Sequence, residues 1–369
     1  MTDLLFNHII ILNKKIRNRI RTVISTTIGW CDMVTIKDIS KKCGYSVSTV
    51  SKALNNSSEI GVEAKEIIKK TASKMGYFPN AAARLLKTNR SNNIGVLFID
   101  EMQSGLQHEY FSAVLNSLKD EAEGFGYDIT FITHNIGNVP MTYYEHCKYR
   151  NCDGVIVACV DFNDPGVIEL INSDIPVVTI DHIFNDSTAI LSDNLKGVRD
   201  LVNHIYEFGH RKIAFIHGED TSVTQRRLVG FYKTCNKFGI KVPDYYIKKA
   251  RYHDPNTSGL ATRELLELKD PPTCIMYPDD FSFIGGMNEI EKHGLIVPDD
   301  ISVVGYDGIY LSQVLRPRLT TFKQDTEALG KEAVKNLIHA IDNKKTYVPK
   351  QVWIEGELLV GDSIKEIEF

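Results

Sequence analysis

Residues 34–55 read VTIKDISKKCGYSVSTVSKALN. Thr35 followed by Asp38 marks a helix start, because a hydroxyl and a carboxylate can satisfy the free N–H groups of a first turn. Ile36, Ile39 and Ser40 then fall on one helical face. Cys43-Gly44-Tyr45 interrupts the pattern with a residue that tolerates positive φ. Ser46 can cap a second short helix running through Thr49, Val50, Lys52 and Ala53, of which Val50 and Ala53 read as packing residues. Two short helices joined by a tight, Gly-containing turn make a helix-turn-helix. The first residues of the second helix are the ones that reach base edges in a DNA major groove.

The continuation extends the same reading. Residues 62–76 carry Val62, Ile67, Ile68, Ala72 and Met75 at helical spacing and end at Gly76, which predicts a third helix. Charge is split along the chain in step with this. Residues 34–92 hold eleven Lys/Arg against four acids, a net of +7, and the first 33 residues add +3. With −4 for the whole chain of 369 residues, the remainder carries −14. A small basic module on a large acidic body fits a polyanion-binding head beside a separate globular domain.

After Asn92 the pattern becomes strand–helix alternation. Strand-like runs occupy 94–99, 129–133, 154–160 and 176–180, with a helix at 110–124 between them. A second series places strands at 212–217, 246–250, 273–277 and 301–306, with helices near 195–208, 225–238, 256–267 and 281–293. Such alternation implies parallel sheets covered on both faces, and two series imply two α/β lobes with a cleft between them. Ligands of open α/β sheets bind beyond the carboxyl ends of the strands. Asp100, Asp181, Asp193, Asp279, Asp280 and Asp307 sit at or just after those ends.

Seven cysteines, an odd number, lie at 31, 43, 147, 152, 159, 235 and 274, none at CxxC spacing. Buried free thiols in a reducing cytoplasm explain them better than disulfides or a zinc site. No apolar run approaches the length of a membrane span. The opening apolar segment is followed, not preceded, by basic residues, the reverse of a secretory signal. Met33 stands immediately before the helix-turn-helix. We therefore expect it to be the natural start, with the preceding residues an upstream or disordered extension; an additional helix adding phosphate contacts is the alternative. There is no P-loop, no GxGxxG after a strand, no GxSxG and no HExxH, so no enzyme activity, cofactor or metal is expected.

TIKDIS, GYSVSTVSKALN and GYFPNAAARLL, in that order and spacing, resemble the DNA-binding headpiece and hinge of the lactose-repressor (LacI/GalR) family of bacterial transcription regulators. VVTIDH, ILSDN, FGHRKIAFIHG, RLVGF, PDDISVVGYDG and RPRLTTFKQD resemble that family's effector domain, which is similar to a periplasmic sugar-binding protein. The likeness runs from about residue 34 to 361. It implies a helix-turn-helix domain over 34–78, a hinge helix and linker over 79–92, and an effector-binding and dimerisation domain over 93–369. The first lobe would comprise 93–191 and 322–352, the second 192–321 and 353–369.

The resemblance also implies residue roles. Val47, Ser48 and Lys52 would read bases, with Lys52 standing where Arg is usual; an ammonium lacks the two-pronged contact that Arg makes with guanine. Ser46, Thr49, Asn55, Tyr77, Asn80 and Lys87 would anchor phosphates, and Leu86 would wedge into a minor-groove step. Asn80 to Leu86 is too short to hold a helix alone in water and would order on DNA. The effector pocket would draw on Tyr110, Phe111, Asp181, Asp193, Arg227, Asp279, Asp307 and Gln324. A guanidinium facing several carboxylates suits a polyhydroxylated ligand. Local readings compete: Asp193 can cap the following helix, Asp307 can close a turn before Gly308, and Phe111 can be core. Asp279 stands where the family has Asn, adding negative charge. The expectation is a cytoplasmic, homodimeric repressor of a carbohydrate-utilisation operon that binds double-stranded operator DNA and a sugar-like effector. The alternative is a sugar receptor without a regulatory role.

Overall fold

A computed structural model describes residues 34–78, 90–99 and 105–368. The chain divides into two compact units, the first ending at Asn89 and the second running from Arg90.

In the first unit, α1 (Ile36–Cys43), α2 (Val47–Leu54) and α3 (Val62–Lys74) surround a core of Ile39, Val50, Ala53, Ile68 and Ala72. Asp38 Oδ2 accepts hydrogen bonds from the Thr35 hydroxyl (2.6 Å) and backbone N–H (3.0 Å) at the head of α1. Those bonds hold the Asp38 carboxyl below its ordinary value. Gly44 ends α1 at φ +77°, with nothing within 4 Å of where a Cβ would lie. Glycine is needed there for backbone conformation and not for space. Ser46 Oγ accepts from Thr49 N at 3.1 Å and caps α2.

The second unit contains β1 (Asn93–Phe98), α4 (Glu109–Gly124), β2 (Asp128–Phe131), β3 (Asn135–Ile136), β4 (Val139–Pro140), α5 (Tyr143–Tyr149), β5 (Gly154–Ala158), α6 (Pro165–Ile171), β6 (Val177–Ile180) and β7 (Thr188–Ser192). There follow α7 (Asn194–Glu207), β8 (Ile213–His217), α8 (Ser222–Lys237), β9 (Ile247–Lys249), α9 (Pro255–Leu266), β10 (Cys274–Met276), α10 (Phe283–Lys292), β11 (Ser302–Asp307) and α11 (Tyr310–Val314). Last come β12 (Thr320–Lys323), α12 (Thr326–Asp342), β13 (Gln351–Ile354) and β14 (Glu357–Leu359). Two six-stranded sheets result, ordered β13-β7-β6-β5-β1-β2 and β14-β12-β11-β10-β8-β9. All pairs in them are parallel except β12–β14.

Each sheet is apolar on both faces, as buried parallel strands must be. Val96, Ile156 and Val178 pack with α4 and α12 on one face of the first sheet, while Leu97, Val155 and Val177 pack on the other. Phe215, Met276 and Val304 divide from Ala214, Ile275 and Val303 in the same way in the second. Between α9 and α10, Gly285 lies so close to Pro255 O that a Cβ would sit 1.6 Å from it, so only glycine permits that helix contact.

The chain crosses between lobes three times: from β7 into α7, from β12 into α12, and from β13 into β14. The second and third crossings come two residues later than the expected 321 and 352. Phe322 and Lys323 continue β12 beside Tyr306 and Asp307, so they belong to the second lobe. Trp353 and Ile354 continue β13 beside Leu191 and Ser192, so they belong to the first. In both places ladder pairing carries the strand past the expected boundary. The expected linker is also shorter at its end, because the Asp153 carboxylate accepts from Ser91 N and Oγ (both 3.0 Å) and Asn92 N (2.8 Å), fixing them to the body. The six cysteines among the described residues are free thiols. No described helix is long and apolar enough to cross a membrane.

Candidate functional site

The residues expected to read bases stand at the start of α2 in the first unit. Val47 and Ser48 project to solvent there, Val47 remaining 45% exposed although it is aliphatic. Lys52, one and a half turns on, is engaged in an ion pair with Glu59 from the segment between α2 and α3. Among the expected phosphate anchors, Ser46 and Thr49 bond each other through their hydroxyls (2.8 Å). The Asn55 amide donates to Ser51 O (2.7 Å), and Tyr77 is half-buried against the three-helix core. Asn80, Leu86, Lys87 and the residues before Val34 lie outside the described residues, as does Asp100.

The second unit holds a cavity of about 590 Å³ between its lobes, walled by both. Four non-glycine residues with positive φ line it: Cys159 (+50°) after β5, Asp181 (+60°) after β6, His253 (+55°) between β9 and α9, and Asp307 (+97°) closing β11. Such conformations cost energy, persist only where surroundings impose them, and gather at functional sites. All four stand at or beyond carboxyl ends of parallel strands, where this architecture places ligands.

Arg227 of α8 is the cavity's cationic centre and is 4% exposed. Its guanidinium lies 3.6 Å from the Tyr306 ring centroid and 5.5 Å from that of Tyr252. Nε donates to Asn194 Oδ1 (2.8 Å) and Nη1 to Pro278 O (2.7 Å). Nη2 lies 3.8 Å from Asp307 Oδ1. Asp307 Oδ1 also accepts from Gln324 Nε2 at 2.7 Å. Burial pushes the Asp307 carboxyl up to about 7, against the pull of Arg227. Asp181 Oδ1 accepts from Ser192 N (2.8 Å), and burial raises its carboxyl too. The Tyr110 hydroxyl stands 3.5 Å from both Asp181 Oδ2 and Gln324 Oε1.

Tyr110, Phe111, Asp181, Arg227, Asp279, Asp307 and Gln324 thus come together around one cavity. Asp193 does not. Its Oδ1 accepts from Lys196 N (2.9 Å) and caps α7; a carboxylate used to hold a helix start is turned away from the cleft. Asp280 is buried beneath the site, bonded to the Thr321 hydroxyl (2.6 Å) and Ile309 N (3.0 Å). Asp279 lines the cavity, but both its oxygens are occupied by Ser282 N, Ser282 Oγ and His253 N at 2.7–2.8 Å. The Tyr110 ring is buried, at 72° to that of Phe111, and its hydroxyl is the part that stands near Asp181 and Gln324.

Further rings at the cavity come from residues that do not figure among the expected ones. His182 stacks on Phe162 with centroids 4.2 Å apart, and His253 stacks between His108 and Phe281 at 4.0 Å from each. His182 follows Asp181, and Tyr252-His253 follow β9, so the strand-end rule that selected the aspartates covers them as well. The lobes also touch at the cavity's edges. Ser222 Oγ donates to Asp181 O (2.9 Å), Tyr310 N donates to Glu109 Oε1 (2.6 Å), and His108 of the first lobe meets His253 of the second.

Known proteins share this arrangement. Residues 35–80 match the model of bacterial regulatory proteins of the lacI family, and residues 202–364 match a periplasmic binding protein-like domain. The probable HTH-type transcriptional repressor ExuR of Bacillus subtilis (strain 168) is 32% identical over 91% of this chain and 99% of its own. The HTH-type transcriptional repressor PurR of Mannheimia succiniciproducens is 28% identical over 91% of this chain and 100% of its own. The crystal structure of the Lac repressor dimer bound to operator and the anti-inducer ONPF superposes with a TM-score of 0.74 at 25% identity, covering 90% of this chain and 100% of that one. The chain belongs to the lacI family of bacterial regulatory proteins, DNA-binding transcription repressors under effector control.

Proposed function

We propose that this protein is a cytoplasmic, homodimeric repressor of a carbohydrate-utilisation operon, without enzymatic activity, whose inter-lobe cavity binds a polyhydroxylated effector. Val47, Ser48 and Lys52 read bases, while Ser46, Thr49, Asn55, Tyr77, Asn80 and Lys87 hold the phosphate backbone. Leu86 wedges into the minor groove at the operator centre. Two headpieces on a two-fold axis match the half-sites of a pseudo-palindrome. In the cavity, hydroxyls donate to Asp181 and Asp307 and accept from Gln324 and Arg227, while stacked rings cover the apolar face of the sugar.

The observation that carries this reading is the pair of half-buried carboxylates of Asp181 and Asp307 beside the buried Arg227 guanidinium, in a cavity whose walls belong to both lobes. A ligand touching both walls binds one lobe arrangement better than another. By that difference alone it can shift DNA affinity. The relatives, named as transcriptional repressors along their whole length, speak against a receptor without a DNA-regulatory role.

Thermal-shift screening of the full-length protein against sugars, sugar alcohols, nucleosides and nucleobases tests it. A polyhydroxylated hit is expected, and it should change affinity for a duplex from upstream of the protein's own gene. A hit confined to nucleobases, or a sugar that binds without altering DNA affinity, contradicts the proposal.

A further inference from the structure

The charges around the cavity do not balance. Asp181, Asp279 and Asp307 are set into its walls, with Glu219 and the exposed Asp161 and Asp220 toward solvent. Asp220 is compensated outside the cavity by Lys249 at 2.7 Å. Against the rest, Arg227 is the only Lys or Arg among the described lining residues. Two arms of its guanidinium are committed to Asn194 and Pro278 O, which limits what it can offer an incoming anion. Burial holds the His182 ring below its ordinary value, so it adds no cation at neutral pH.

The acids differ in what they can still accept. Asp279 has protein donors on both oxygens, Ser282 N on Oδ1 and Ser282 Oγ and His253 N on Oδ2, which hold it in place. Among the described residues, Asp181 Oδ2 meets only the long Tyr110 contact at 3.5 Å. Asp307 uses Oδ1 for Gln324 Nε2, and no hydrogen bond from a described residue reaches its Oδ2. These two carboxylates are connected through Tyr110 and Gln324. Each has an oxygen able to take a short bond from a ligand donor.

Resting on the reading of this cavity as the effector site, we infer that its ligand is a hydroxylated molecule bearing a protonated amine, an amino sugar in chemical class. Its ammonium lies between Asp181 and Asp307. Hydrogen bonds from a cation to a carboxylate are about twice as strong as neutral ones. Burial lifts both carboxyls above their ordinary range against the pull of Arg227, and a ligand ammonium would add a second positive charge beside them. A sugar acid would add a further anion to a wall already in excess.

Isothermal titration calorimetry of the full-length protein at neutral pH tests this with matched ligands. D-Glucose, D-galactose and D-mannose are each compared with the 2-amino-2-deoxy sugar, its N-acetylated form and the uronic acid. In at least one series the amino sugar should bind about tenfold or more tighter than both the parent and the N-acetylated form, with no binding of the uronate. Asp307→Asn should bring amino and parent sugars to within about twofold of each other. A parent sugar or uronate that binds as well as its amino counterpart overturns the inference and leaves the cavity a sugar site. Absence of binding by every member overturns both.

Discussion

Asp307 combines a left-handed backbone at φ +97°, a side chain only 11% exposed and a carboxyl raised to about 7. An acid whose folded value lies above its unfolded value near 4 contributes stability that is fully present below the unfolded value. That contribution is lost as pH rises through the folded value. Asp307→Asn stays neutral at every pH, and Asn tolerates positive φ. The ligand-free variant should therefore gain on the parent as pH rises from 5 to 8, by roughly 2–4 kcal/mol at the upper end. Urea midpoints across that interval measure the gap. A gap that stays constant or closes would show that Arg227 already compensates Asp307 in full. The aspartates of this site were legible because strand ends are where such folds place ligands. Asp193 satisfied the same rule and failed it in three dimensions, since a carboxylate between strand and helix serves a cap equally well. His182, Tyr252 and His253 were missed because the rule had been applied to acids alone.

At the scale of elements, the headpiece helices were readable almost residue by residue. Their boundaries are written in local chemistry: Thr35 with Asp38, Gly44 at positive φ, and Ser46 under Thr49 N. The Lys52–Glu59 ion pair was not readable, because it depends on where the segment between α2 and α3 returns. In the role proposed for it, Lys52 leaves Glu59 to reach DNA, and Glu59 itself repels phosphates. Glu59→Gln should therefore strengthen binding to any duplex and steepen the dependence of log affinity on log salt by up to about one unit. Anisotropy titrations at several salt concentrations give that slope; an unchanged slope would mean that Lys52 already faces the backbone. In the body, strands recognised by their own apolar runs came out within a few residues. β7, β12, β13 and β14 did not figure among them. Short segments such as TTFK and QVWI carry no mark of which sheet they join, so the lobe boundaries drawn near 322 and 353 fell two residues early.

For the molecule as a whole, charge separates the two tasks along the chain: a headpiece and linker at +7, and a body at −14. Binding of a polyanion by such a headpiece releases counterions and must weaken steeply with salt, whereas sequence choice is proposed to rest on a few side chains at the start of α2. The body is proposed to couple to this through a cavity whose lobes already touch at Ser222–Asp181, Glu109–Tyr310 and His108–His253. A ligand that favours or opposes those contacts changes the balance between lobe arrangements. Fluorescence anisotropy of the full-length protein is the most direct measurement of this coupling. It compares a duplex from upstream of the protein's own gene with a scrambled duplex, at about 50 and about 200 mM salt, with and without the sugar that stabilises the protein. The expected result is binding to the upstream duplex about a thousandfold tighter than to the scrambled one, weakened by salt and altered by the sugar. Equal affinity for both duplexes in every condition would contradict it.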